Sequence, residues 1–207
     1  MRIGYTVRAS RSMLLHPLQG IERVRGRIDR HQDQREKESL RTPMRDFYAA
    51  ATDWAAPLHA MLGLPSQCPA AASFDKLWDG MVADLTAAGL SVGIASYGGW
   101  NDGDRAFAGA IWCAVAHLHP ERAVETGVAH GLTSRVILRG LDDHGAGRLW
   151  SIDLPAVDSV LHPEIGLAVP QDLRSRWTYV SGTSREQLPP LLSELGQIDL
   201  FVHDSLH

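Results

Sequence analysis

The chain has 207 residues, a formal net charge of −4, 44% apolar and 21% charged residues. That make-up suits a soluble globular protein of one domain plus an appendage. Its two cysteines, Cys68 and Cys113, form no C-x-x-C pair, which argues against a disulfide scaffold and a zinc site and fits a cytoplasmic setting; nor does any apolar run approach the roughly 20 residues of a membrane span.

Residues 1–45 hold eleven Lys/Arg and five Asp/Glu, a net of +6. They read as a basic, partly helical arm, with a polar helix over 18–39 ended by Pro43. Arg2, Arg8, Arg11 and Pro17 break up the apolar stretch a signal peptide would need. The mixed signs of "ERVRGRIDRHQDQREKE" and its lack of aromatics point to a solvated segment, not a nucleic-acid surface. Residues 46–119 read as a helical lead-in. An Ala-rich helix ends at Pro57, and 65–73 is a loop. Phe74, Leu77, Trp78, Met81, Val82 and Leu85 recur at helical spacing behind Ser73 as N-cap, and Gly89 closes that helix. "SYGGWNDGD" (96–104) is a polar glycine turn. Asp104 caps a further helix whose apolar face is Phe107, Ala110, Ile111, Ala114, Val115 and Leu118, stopped by Pro120.

From residue 120 the rhythm changes. Strands are predicted at 122–126, 148–153, 177–182 and 198–204. Helices are predicted at 131–141, around 170–174, and over 184–196, where Pro189 and Pro190 limit the regular part to the segment after them. Strands alternating with helices predict βαβ units and a parallel sheet. In such a sheet the ligand sits at the carboxyl ends of the strands, so the turn after 122–126 is the favoured pocket. Gly127 and Gly131 permit positive φ and close backbone approach. The helix that opens at Gly131 offers free N–H groups and a positive dipole end. Asp153, twenty-two residues beyond Gly131, can take both hydroxyls of a ribose. A pyrophosphate cradle asks for G-x-G-x-x-G. This chain has G-x-x-x-G with Glu125 just before it. An acid there repels pyrophosphate and suits a cation, such as the sulfonium and ammonium of S-adenosylmethionine.

"AVETGVAHGLTS" with "LWSIDLP" resembles the first two motifs of the class I S-adenosylmethionine-dependent methyltransferases. "YVSGTSREQLPPLL" and "IDLFVHDSLH" resemble the third and fourth strands of the small-molecule O-methyltransferase-like branch. The resemblance covers about residues 96–207, and residues 120–207 are expected to be the cofactor-binding, Rossmann-like α/β domain, a doubly wound parallel sheet. It implies that Glu125, Gly127, Gly131 and Ser134 line the methionine end of the cofactor. It implies that Asp153 holds the ribose and that Thr183 and Ser184 lie near the adenine, although many relatives have an acid where Thr183 stands. Asp204 would face the methyl group, and "YGGWNDGD" would lie over the carboxylate end. Asp204 or His207 is the expected base, with Asp204 also a candidate ligand for a divalent metal. His130 and His203 have ordinary alternatives, a solvent-facing loop for the first and packing against a neighbour for the second.

The family's sheet runs 3-2-1-4-5-7-6, and this sequence supplies strands 3-2-1-4. The expectation is therefore a truncated domain with the cofactor half present and an apolar "LFV" edge open to self-association. The leading reading is methyl transfer to a small-molecule or sugar hydroxyl, with no nucleic-acid partner. Two others stay open: a non-catalytic cofactor-binding or interaction fragment, and a nicotinamide-dependent oxidoreductase.

Overall fold

The computed structural model describes residues 17, 20–21, 55–65, 68–156 and 159–204. Residues 53–206 form one compact unit, and residues 1–52 with His207 form another. Of the second unit Pro17, Gly20 and Ile21 are described, all helical. The remainder of the basic arm, the rest of the helix expected over 18–39, and His207 lie outside the described residues.

The apolar runs after residue 120 pair as expected. Strands β3 (Arg122–Thr126), β4 (Arg148–Asp153), β5 (Trp177–Ser181) and β6 (Leu200–His203) form a four-stranded sheet ordered β5-β4-β3-β6. Every pair is parallel. This is the 3-2-1-4 order. In register, Glu125 lies between Ser151 and Val202, and Thr126 lies beside His203.

Each strand turns alternate side chains to opposite faces. On one face Ala123, Leu149 and Val202 join the larger core with helix α4 (Leu132–Asp143) and with two helices upstream, α2 (Ala71–Ala87) and α3 (Arg105–Leu118). On the other, Val124 and Ile152 pack against Leu191 of helix α5 (Ser184–Leu195), flanked by Leu188, Leu192 and Leu195. The β4-to-β5 crossover carries two short 3-10 turns, Ser159–Glu164 and Gln171–Arg176.

Several local expectations are corrected. Helix α1 (Ala55–Met61) contains Pro57 in its first turn, where the missing N–H has no intrahelical partner to lose. Helix α2 starts at Ala71, so Ser73 is inside it, and its hydroxyl turns back to the Ala70 carbonyl at 2.7 Å instead of capping. The buried side of α3 is Ala108, Ile111, Trp112 and Val115, while Leu118 is 49% exposed. Trp112 is drawn inward because its indole N–H donates to the Ala70 carbonyl at 2.8 Å. Helix α5 runs through Pro189 and Pro190, its lost amide donors offset by the Thr183 cap and the leucine face. The glycine turn at 96–104 is the centre of an antiparallel hairpin, β1 (Gly93–Tyr97) and β2 (Trp100–Asp102). Asp104 caps α3 as expected, accepting from Ala106 N at 2.8 Å and Phe107 N at 3.0 Å.

Candidate functional site

The site is built on the tip of the central strand. Backbone pairing carries β3 one residue past its end: Gly127 N donates to the Ile152 carbonyl at 2.9 Å. The chain then reverses through Val128, Ala129 and His130, with φ of 89° at Gly127 and 86° at Gly131. Gly131 N donates to the Val128 carbonyl at 2.7 Å, closing the turn where α4 begins. A Cβ on Gly131 would lie 2.8 Å from the Gly166 Cα. Glycine is required there by conformation and by the backbone crossing over it. Gly166 N and Ala168 N donate to the carbonyls of Ala129 and His130 at 2.9 and 2.8 Å, so the segment after the first 3-10 turn clamps the loop.

Glu125 lies behind this turn. Its side chain points to the α4 face, where Ser134 Oγ donates to Oε2 at 2.5 Å and Ser151 Oγ donates to the same oxygen at 2.7 Å. Oε1 has no partner among the described residues, and the residue is 0% exposed. Burial pushes its carboxyl up to about 8, with Asp204 and Asp153 adding to the rise and the two serine hydroxyls opposing it. Near neutral pH it is mostly a neutral acid.

Asp153, at the tip of β4, accepts from Val128 N at 3.0 Å and Ala129 N at 3.1 Å through Oδ2. One carboxylate oxygen thus holds the glycine turn. Gly182 N donates to the Asp153 carbonyl at 2.9 Å, and this draws the β5 tip alongside. Thr183 and Ser184 follow there. Thr183 caps α5, its Oγ1 accepting from Glu186 N at 3.2 Å. Beside β5 a cavity of about 350 Å³ opens between Pro155, His162, Trp177 and Tyr179.

Asp204 follows β6, and its N–H donates to the Thr126 carbonyl at 2.8 Å. The side chain is exposed at the rim, yet its crowded surroundings and the charges of Asp102 and Asp104 push it up to about 6, against a hydrogen bond from Thr133. His203 Nδ1 meets Thr126 Oγ1 at 2.5 Å and its ring stacks on Phe201, which agrees with its reading as a packing residue.

The sequence reading misplaced His130. It is 0% exposed, not in solvent. Its Nδ1 lies 2.6 Å from Asp102 Oδ2, its Nε2 3.4 Å from Glu164 Oε2, and its backbone N–H donates to Asp102 at 3.3 Å. The Tyr97 ring stands edge-on to it at 5.0 Å. Burial alone would lower the His130 pKa, but Asp102 and Glu164 outweigh it, so the net shift is upward. The Tyr97 hydroxyl is buried with no partner among the described residues, and burial with the surrounding acids raises its pKa. The sequence reading placed the turn "YGGWNDGD", which holds Tyr97 and Asp102, over the cofactor, but the meeting of Tyr97, Asp102 and Glu164 at His130 was invisible to it, because no fixed spacing connects hairpin, turn and 3-10 segment. Ser151 was findable: in a parallel pair it falls beside Glu125 once the two strand ends are aligned.

Residues 124–207 match the family model described as a methyltransferase domain. No curated protein shows a sequence match. Among solved structures, the chain is similar to an SAH-bound methyltransferase from Podospora anserina at 14% identity and a TM-score of 0.41, covering 64% of this chain and 49% of that one. It is also similar to an O-methyltransferase from Bacillus cereus in complex with SAH, at 15% identity and a TM-score of 0.41, covering 72% of this chain and 60% of that one. The chain thus spans about half to three-fifths of the length of these two proteins. Parallel strands in the order 3-2-1-4 and the match to the methyltransferase domain model coincide on one stretch of chain.

Proposed function

We propose that the chain binds S-adenosylmethionine at the turn between β3 and α4 and uses it to methylate a hydroxyl of a small molecule or sugar. The observation that carries this reading is the sign of the charge around the turn. Asp153 and Asp102 bond directly to its backbone. Glu164 reaches His130 within it, and Asp204 stands at the neighbouring strand tip. Carboxylates so placed repel a pyrophosphate and attract a sulfonium and an ammonium.

The residues fit that ligand. Glu125 Oε1 is a buried polar atom without a partner among the described residues, and the first turn of α4 supplies free amides for a carboxylate. In this reading Glu125, Gly127, Gly131 and Ser134 shape the methionine end. Asp153 takes the ribose hydroxyls alongside its hold on the turn, and Thr183 and Ser184 border the adenine. The bound cofactor supplies an electrophilic methyl group. The protein has to position the acceptor oxygen and remove its proton. Asp204, with a pKa near 6, retains enough basicity to accept a proton at neutral pH and stands at the rim where an acceptor would enter. His207 is the second candidate base.

Titration calorimetry with S-adenosylmethionine and with NADH tests the cofactor. Asp153→Ala should weaken S-adenosylmethionine binding by about 1.5–3 kcal/mol, the scale of a lost hydrogen bond to a charged group. Thermal unfolding of the same variant separates a loosened turn from a lost contact. Unchanged affinity in a folded variant removes Asp153 from the site. Binding of NADH without S-adenosylmethionine replaces the reading with the oxidoreductase one. Cofactor binding without turnover on a panel of hydroxylated acceptors favours the non-catalytic one.

A further inference from the structure

We propose that His59, Cys68, Cys113 and His117 form a tetrahedral zinc site that ties the first helix and the following loop to α3. The four donor atoms lie within 4.8 Å of one another. His59 Nε2 is 3.0 Å from Cys113 Sγ, Cys68 Sγ is 3.7 Å from Cys113 Sγ, and Cys68 Sγ is 3.6 Å from His117 Nε2.

These separations match the edges of a small tetrahedron. With Zn–S near 2.3 Å and Zn–N near 2.0 Å, tetrahedral angles put two sulfurs about 3.8 Å apart and a sulfur and a nitrogen about 3.5 Å apart. The observed S···S edge and one S···N edge fall on those values, and the 3.0 Å edge opens by about half an ångström on metal binding. Two thiolates and two imidazoles are a zinc donor set, and four protein ligands close the coordination sphere, as in structural sites.

The surroundings support the same reading. His59 is 0% exposed, and its Nδ1 contacts the Pro65 carbonyl. That contact needs the proton on Nδ1, which leaves Nε2 as a bare lone pair facing the sulfurs. This is the outer hydrogen bond that orients a metal-bound imidazole. Cys113 and His117 are four apart on α3 and so project from one side of it. Cys113 is buried and Cys68 half-buried. The cluster is nine to thirteen residues along α3 from Asp104, about 14–20 Å of helix from its N-terminal end. Four protein ligands leave no open coordination position, which gives it a structural role. The lack of a C-x-x-C pair concealed it, because the ligands come from three separate segments. This geometry replaces the expectation, drawn from cysteine spacing, that the chain holds no zinc.

The test uses the full chain without a polyhistidine tag. Metal analysis of protein purified under reducing conditions should find about one zinc per chain. Stripped protein titrated with cobalt(II) should develop visible d–d bands of tetrahedral intensity and a near-ultraviolet thiolate-to-cobalt band. Cys68→Ser, at the half-exposed corner, should weaken or abolish the thiolate band. A chelator should lower the Tm of the wild type but not of that variant. If the variant does not fold, the wild-type cobalt spectrum decides alone. A cobalt spectrum without thiolate character, binding undiminished in folded Cys68→Ser, or a Cys68–Cys113 disulfide in the purified, metal-free protein would each overturn the proposal.

Discussion

Replacing Glu125 with Gln isolates the energetic cost of a buried acid under the glycine turn. The carboxyl titrates near 4.5 when unfolded and near 8 in the folded protein. Between those values the native state holds more proton than the unfolded chain, so stability falls as pH rises. The penalty is small below 4.5, grows through the window, and is complete above 8. At about 1.4 kcal/mol for each pH unit, it is roughly 1.4 kcal/mol at about pH 5.5 and roughly 4.6 at about pH 8.5, a difference of about 3 kcal/mol. Gln keeps the shape and an acceptor for Ser134 and Ser151 but does not titrate. Urea unfolding of both proteins at those two pH values should show the wild type losing about 3 kcal/mol more than Glu125→Gln. In thermal scans that is about 6–12 °C for a domain of this size. His130 also loses stability as pH rises, but it does so in both proteins and cancels in the comparison; the coupling of Asp204 to Glu125 is part of the difference read. Parallel pH dependences for the two proteins would refute the buried, neutral Glu125.

The glycine turn and the buried histidine give two more expected outcomes. Gly131→Ala forces a side chain into a φ of 86° with its Cβ 2.8 Å from the Gly166 Cα, and it should cost about 1–3 kcal/mol of stability; an unchanged Tm would show that the loop and the clamping segment are not in contact. Asp102→Asn removes one of the two acids that hold the His130 proton, so the His130 pKa, followed by NMR, should fall. The ion pair stabilises the fold fully below the unfolded histidine value near 6.5, and that stability is lost as pH rises through the raised folded value. An unmoved titration would place Asp102 away from the ring.

The sequence by itself determined the parallel sheet and the place of its glycine turn. Apolar runs of about five residues alternating with helices predict a parallel sheet, because parallel strands need crossovers and crossovers have one hand; the 3-2-1-4 order was implied by the family resemblance. From the pattern of runs follow the turn after β3 and Asp153 at the next strand tip. These are local consequences of period and glycine placement. Asp104 as a cap was legible for the same reason, since a cap bonds to amides two and three residues away. Tertiary structure alone decided what each acid touches. Strand pairing makes Ser151 beside Glu125 legible, but only the packing of α4 on the sheet brought Ser134 to the same carboxyl oxygen. His130 was buried because a hairpin twenty-eight residues earlier and a 3-10 turn thirty-four residues later supplied its carboxylates. The His59, Cys68, Cys113 and His117 cluster was likewise assembled by packing α1 against α3. Contacts between distant segments leave no period in a sequence, since their spacing is set by loop lengths and packing, not by the repeat of a helix or strand.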